Sequence, residues 1–388
     1  VDAVQPALTR RVGVVYDYDA EQWPSMALAG DLLADGLRQH APHYDAVPIR
    51  PDMPHPVSRL LGARGRNADR FAARHVAYPR WLRRHATGMD LYHVVDHSYA
   101  QLVHALPAER TVVTCHDLDA FRSLLPDPEP RPAWFRMMMR RVLSGLALAA
   151  HVVCDSDAVR DELIAHRLMD GRRVTTVPLA AHPDFGAQPD AAADARAAAL
   201  LGRPSSNVLD LLHVGSTVPR KRIELLLRAI APVLADGRVR LVRVGGPLTP
   251  AQSAIAHQLG MDGRMVTLPT LDRRTLAAVY RRAALVINPS EREGFGLPLV
   301  EAMACGVPVL ASGLAVFREV GAESITYVAG EDVTVWSDAI RAELRRLDDP
   351  DARLISRAAV LARASRFTLP RYAAGISAVY DRVLAGAA

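Results

Sequence analysis

A chain of 388 residues, half of them apolar, has material for two α/β cores and is too long for one. Its three cysteines, Cys115, Cys154 and Cys305, have no paired spacing, which excludes a zinc site or disulfide framework and points to a reducing compartment. A net charge of +5 invites a nucleic-acid reading, but an aromatic content of 5% and the lack of a recognition module argue against that partner.

In chain order, short β-branched runs alternate with longer helical patterns, which predicts parallel α/β architecture. The first series of expected strands is Arg11–Tyr16, Tyr44–Ile49, Leu91–Asp96, Thr111–Cys115, His151–Cys154 and Val174–Val177. Helices are expected between them, for example at Ala27–Gln39 and Ala158–His166. Several of the strands are apolar on both faces, as in sheets covered by helices on both sides. Between Arg59 and Arg84 lie Arg59, Arg64, Arg66, Arg70, Arg74, Arg80, Arg83 and Arg84, opposed only by Asp69. That cluster reads as a solvated helical face, or as a surface for anionic lipid or an acidic acceptor. The longest apolar run with helical character, Val142–Cys154, is too short to span a membrane. Its neighbours Arg136, Arg140 and Arg141 make it a candidate interfacial helix. The N-terminus carries no secretory pattern, so the expected location is cytoplasmic, with peripheral membrane association as an option.

From His182 to Asn207 the chain turns rich in Ala, Pro, Asp and Gly, with a short Ala-rich helix at Ala191–Leu201. The domain boundary is placed there: residues 1–185 form a first domain, 186–368 a second, and 369–388 a closing helix. The second series of expected strands is Val208–Val214, Val239–Val244, Met265–Leu268, Leu285–Asn288, Val307–Ala311 and Ile325–Val328. The helices are Ile223–Leu234, Ala251–Leu259, Arg273–Arg281, Pro298–Ala304, Val335–Leu347 and Leu369–Leu384. The expected fold class is α/β: two Rossmann-like, doubly wound parallel sheets whose ligands lie at the carboxyl ends of the strands, facing a central cleft.

Of the 47 basic residues, 46 are Arg and one is Lys, Lys221. A lone Lys in an Arg-biased chain marks a position where a compact ammonium is wanted and a planar fork will not serve. It stands in Val214-Gly215-Ser216-Thr217-Val218-Pro219-Arg220-Lys221, between an apolar strand and an amphipathic helix. A Gly turn followed by cations at a helix start suits phosphate. The segment is neither a Walker loop nor a dinucleotide fingerprint. A second segment, Glu293-Gly294-Phe295-Gly296-Leu297-Pro298-Leu299-Val300-Glu301, leads from a strand into a helix. Its glycines admit close backbone approach, and Pro298 suits the first helical turn. Glu293 and Glu301 are placed to accept hydrogen bonds from hydroxyls in one crevice. In the first half, Thr111–Cys115 ends in His116-Asp117, and Asp96-His97-Ser98 ends the strand before it. Cys115 and His116 are no nucleophilic dyad, because adjacent strand residues point to opposite faces.

Glu293, seven residues, then Glu301, within EGFGLPLVEAMACGVPV, resembles the donor motif of retaining glycosyltransferases of family 4, which have the GT-B fold. The resemblance extends through HVGSTVPRKRIELLLRAI and through Ser312–Val320, where Glu319 stands at a recurrent Arg/Pro-Glu-Val position. It implies transfer of a hexose-type sugar from a nucleotide diphosphate sugar to a sugar or glycoconjugate hydroxyl, with retained anomeric configuration and without a metal or cofactor. Polysaccharide or glycoconjugate biosynthesis is the implied setting. On this resemblance Glu293 contacts donor-sugar hydroxyls and Glu301 the ribose. Amides around Phe295, Gly296 and Leu297 meet the sugar and diphosphate beside Gly215, while Arg220 and Lys221 bind the diphosphate as leaving group. His116 approaches the donor sugar near its 6-hydroxyl. Asp117 orients His116 or serves the acceptor, and His97 is a further candidate contact. The final helix is expected to cross back onto the first domain. Two segments depart from the family: Trp23-Pro24-Ser25-Met26 replaces a Gly-Gly pair, leaving Trp23 as an acceptor-stacking candidate, and Pro178-Leu-Ala-Ala replaces Asn-Gly. Competing readings are a GT-B epimerase, which makes no acceptor product, a phosphorylase, whose pyridoxal Schiff base would need a Lys where only Lys221 exists in another context, and a catalytically silent sugar-nucleotide-binding protein, which does not turn the donor over.

Overall fold

The computed structural model describes residues 9–18, 24–52, 66–126, 128–202, 208–235 and 237–387. Trp23, Arg59 and Arg64 lie outside them. The chain divides into two compact units, Val1–Leu179 with Leu369–Ala388, and Ala180–Thr368.

The first unit holds a parallel sheet in the order β2-β1-β3-β4-β5-β6, formed by β1 (Arg10–Val15), β2 (Tyr44–Ile49), β3 (Leu91–Val94), β4 (Thr111–Cys115), β5 (His151–Cys154) and β6 (Val174–Thr176). Val12, Val94, Val112, Val113 and Val152 are fully buried, because helices cover both faces. The sheet order reverses between β1 and β3, so the carboxyl ends of those two strands diverge into a crevice. The last helix, Leu369–Gly386, packs on the helix Pro24–His40 of this unit. Tyr44 donates to Asp381 at 2.6 Å, and the Tyr380 hydroxyl lies 2.7 Å from Nδ1 of the buried His93.

The second unit holds a parallel sheet in the order β12-β11-β10-β7-β8-β9. Its strands are β7 (Leu209–Val214), β8 (Val239–Val244), β9 (Met265–Leu268), β10 (Ala283–Asn288), β11 (Val309–Ser312) and β12 (Thr326–Val328). The direction of winding reverses between the adjacent β7 and β10. The helix Ile223–Leu234 buries Ile223, Leu226, Leu227, Ile230, Val233 and Leu234, a helical stripe that closes over the sheet.

Local structure departs from the pattern reading in several places, among them the helices Ala315–Gly321 and Pro350–Ala364, which it did not anticipate. The apolar run 142–154 is not one helix: the helix Ala133–Leu148 ends before β5 begins at His151, since β5 must pair with β4 and β6. The strand expected to reach Asp96 ends at Val94, because Asp96 leaves the ladder to cap the 3-10 segment His97–Ala105 and accepts from Ser98 N at 2.8 Å. Arg220 and Lys221 do not open the following helix. They lie in a separate 3-10 turn, Pro219–Lys221, which Arg222 ends at φ +47°. No helix among the described residues is long and apolar enough to cross a membrane.

Candidate active site

In the second unit, β7 and β10 are neighbours at the point where the winding reverses, and their carboxyl ends launch two loops side by side. One runs through Gly215 to the turn Pro219–Lys221, the other from Asn288 to Gly296. They are stitched together where Glu291 N donates to Arg220 O at 2.8 Å. Lys221 donates to Glu293 Oε1, and Arg220 donates to Glu293 Oε2 and to Arg292 O, each at 3.0 Å. The Ser290 hydroxyl lies 2.7 Å from Glu293 Oε1 and 2.6 Å from Asn288 Oδ1, with one proton to give. Ser312 at the end of β11 donates to Ser290 O, holding that turn from below.

Two cations converge on one carboxylate, and the side chains of Lys221 and Glu293 are only 11% and 8% exposed. Burial pushes the Glu293 carboxyl up, but Lys221 and Arg220 outweigh it and hold the group below the usual carboxylate range. The cluster therefore carries a net positive charge in a poorly solvated place, which an anionic ligand would balance. The helices that follow, Ile223–Leu234 and Leu297–Ala304, have no side-chain cap on their N-termini, so unsatisfied amides add to the positive potential.

Backbone freedom is used at two positions. Gly296 begins its helix at φ +97°, where a Cβ would sit 2.7 Å from the Phe317 ring. Gly245, at φ +133°, lets the chain pass the Gly215 carbonyl, which a Cβ at 245 would approach to 2.2 Å. The buried Arg243 donates to Gly215 O at 3.0 Å and to Gly246 O, so it clamps both turns. Burial, then Arg243 and Lys221, depress His213 to about 3, leaving a neutral imidazole beneath Gly215. Phe295 turns its ring inward onto Phe367 at 5.7 Å, so this residue presents backbone to the loop surface. Leu297 is half-buried in the first turn of the helix.

Glu301 belongs to a different hydrogen-bond network. Fully inside the unit, its Oε2 accepts from Tyr280 at 2.9 Å, and burial raises the carboxyl to about 7 despite that bond and the nearby Arg273. Thus the structure joins Arg220, Lys221 and Glu293 and places Gly215 beside Lys221, while Glu301 answers to Tyr280. Sequence reading did not single out Tyr280, Arg243, Ser290, Asn288 or Ser312. Only the Asn-Pro-Ser turn after β10 offered a signal for two of them.

In the first unit, the end of β4 places His116 in a buried clamp. Its Nδ1 is 2.5 Å from Asp155 Oδ2 and its Nε2 2.7 Å from Val95 O, two acceptors that require both ring nitrogens protonated. Burial opposes that charge, but Asp155 and Asp96 overcome it and lift the ring to about 10. The His116 amide donates to His97 Nδ1 at 3.3 Å, and His97 Nε2 lies 3.5 Å from Asp117 Oδ1. Asp117 accepts from Asp119 N at 3.0 Å and is partly exposed. Asp17, at the end of β1, faces the same group. Burial, and then the charge and hydrogen bond of Asp96, push its carboxyl well above the usual range. Asp17 and Asp155 went unremarked in sequence because isolated aspartates after strands carry no motif.

Residues 31–185 match the family model described as Glycosyltransferase Family 4, and residues 209–346 match the one described as Glycosyl transferases group 1. The D-inositol 3-phosphate glycosyltransferase of Mycobacterium avium (strain 104) is 32% identical over 322 residues, covering 78% of this chain and 73% of the relative. That of Mycobacterium leprae (strain Br4923) is 35% identical over 247 residues, 61% of this chain and 55% of the relative; the chain thus spans little more than half of that protein. Among solved structures, sucrose-phosphate synthase from Thermosynechococcus elongatus superposes with a TM-score of 0.70 at 19% identity, covering 97% of this chain and 100% of that one. HepE from Anabaena, in complex with UDP and glucose, gives 0.71 at 16% identity, covering 94% and 98%.

Proposed function

Since this chain belongs to glycosyltransferase family 4 and has the GT-B fold, we propose that it is a retaining, metal-independent glycosyltransferase acting on a nucleotide diphosphate sugar. The acceptor is a hydroxyl of a sugar or glycoconjugate. The observation that carries the reading is the convergence of Arg220, Lys221 and Glu293 at the winding reversal of the second sheet.

The chemistry follows from charge. Breaking the glycosidic bond develops negative charge on the departing diphosphate. A compact ammonium, a guanidinium fork and two uncapped helix starts are donors already in place for it. On donor binding the cations turn from Glu293 to phosphate oxygens, and Glu293 is released to accept from sugar hydroxyls. Glu301, protonated or not near neutral pH, is available to a ribose hydroxyl beside Tyr280. Retention needs no enzyme nucleophile in this account, because the leaving phosphate takes the acceptor proton. In the first unit His116 is a fixed imidazolium whose ring nitrogens are both engaged, so its part is to supply charge near the donor sugar and not to shuttle a proton.

The test is a thermal-shift screen against uridine, guanosine and adenosine diphosphate sugars, followed by product analysis with the donor that binds. Stabilisation by one nucleotide class, and donor breakdown lost in Lys221→Ala and Glu293→Ala while both variants stay folded, is the expected result. Wild-type turnover in either variant removes the assignment. A sugar epimerised without transfer would replace it with the epimerase reading.

A further inference from the structure

A cavity of about 240 Å³ opens on the first unit between the helix Tyr78–His85, the helix Ala133–Leu148 and the 3-10 segment His97–Ala105. Its walls include Arg80, Arg83, Arg141, His75, His104 and Gln101, with no acidic residue among them. This is unusual for the molecule. The larger cavity of about 620 Å³ in the second unit also has arginine walls, but there Arg281 is bonded to Asp194, Arg282 to Asp210 and Arg238 to Asp348. Among the described residues, the guanidiniums of Arg80, Arg83 and Arg141 have neither a carboxylate nor a carbonyl to bond.

Three guanidinium forks line one hollow, and such forks suit the oxygens of a tetrahedral oxyanion. Gln101 closes the floor: it is 4% exposed and its Nε2 donates to Arg74 O at 3.5 Å. Around the mouth the surface is apolar: Val76 is 41% exposed on the wall itself. Trp134 and Met137, 59% and 67% exposed, stand seven and four residues before Arg141, on the same helical stripe.

We infer that this cavity is a binding site for a phosphate ester, held by Arg80, Arg83 and Arg141. Glycerol phosphate has this chemistry both as a free metabolite and as the headgroup of phosphatidylglycerol. The site lies wholly in the first unit and is independent of the donor assignment.

Two arms separate the sources. Vesicles of phosphatidylglycerol and of phosphatidylcholine are co-sedimented with the full chain, and sn-glycerol 1-phosphate is titrated by thermal shift without vesicles. Each is repeated with Arg80→Ser/Arg83→Ser/Arg141→Ser and with a control of equal charge loss, Arg38→Ser/Arg172→Ser/Arg238→Ser. Binding in either arm that falls at least about tenfold in the pocket variant and survives in the control supports the site, and the arm that responds names the source. Arg141→Glu alone, at an exposed position, reads the same loss if the triple variant does not fold. No binding in either arm, equal loss in pocket and control variants, or an unaffected pocket variant overturns the proposal.

Discussion

The Tyr280 hydroxyl donates to Glu301 across 2.9 Å in the interior of the second unit, and this bond, with the charge of Arg273, only partly offsets the desolvation of that carboxyl. The folded state therefore prefers the protonated acid, with a value of about 7 against 4.5 for the free side chain. A raised carboxyl contributes stability that is full below about 4.5 and lost as pH rises to about 7, amounting to roughly 3 kcal/mol. Urea midpoints measured from pH 4.5 to 7.5 should show this decline in the wild type and a flatter profile in Glu301→Gln. An unchanged slope in the variant removes the linkage.

Lys221 and Glu293 should be strongly coupled. Removing one partner of a buried ion pair leaves an uncompensated charge and typically costs about 3–5 kcal/mol, whereas removing both costs less. Arg220 remains for Glu293 when Lys221 is lost, so Lys221→Met should destabilise less than Glu293→Gln, which leaves two cations facing each other. A double-mutant cycle by chemical denaturation measures this. Additive effects would show that the two side chains do not interact in solution.

Lys221→Arg separates charge from shape. Arg keeps the cation but cannot place a point charge where the compact ammonium sits. Transfer rates are expected to fall by roughly 10²–10³, the loss typical of one preorganised electrostatic contact, with donor affinity falling less. A rate within twofold of wild type would mean that charge alone suffices.

Gly245 and Gly246 differ in what surrounds them, although both have positive φ. A Cβ at 245 meets the Gly215 carbonyl at 2.2 Å, and at 246 it meets nothing within 4 Å. Gly245→Ala should displace the Gly215 turn, lowering the melting temperature and nucleotide affinity together. Gly246→Ala should cost only local backbone strain of about 1–2 kcal/mol. Differential scanning calorimetry with and without nucleoside diphosphate distinguishes them, and equal effects would contradict the geometry.

His116 should remain charged across neutral pH. Its value of about 10 in the folded state lies above the ordinary 6.5, so the stability it contributes is full below 6.5 and lost as pH rises through 10. By NMR its ring protons should not titrate between pH 5 and 8. In Asp155→Asn the main opposing charge is gone, and titration should move down into that window or below it. A wild-type ring titrating near 6.5 would contradict the clamp.

Much of this protein was legible without coordinates. Every described strand was anticipated to within two or three residues, since β-branched runs buried on both faces have few other uses. The solitary Lys221 and the segment from Glu293 to Glu301 announced themselves through composition and spacing. The 3-10 turn holding Arg220 and Lys221 was less visible, because Pro219 suits either that turn or a helix start and Arg222 carries no mark of its left-handed backbone. The end of the strand at Val94 was hidden for a similar reason: Asp96 caps or extends equally well on paper.

Sequence by itself determined the strands, most of the helices and which loops carry cations and carboxylates, because periodicity and residue type are local properties. Only tertiary structure decided the pairings: Glu293 with Lys221 and Arg220 across 72 and 73 residues, Glu301 with Tyr280 rather than with Glu293, and His116 with Asp155 across 39. Which charges meet depends on strand order, and strand order is set by how two faces of a sheet are covered, a global balance of burial that no local window contains.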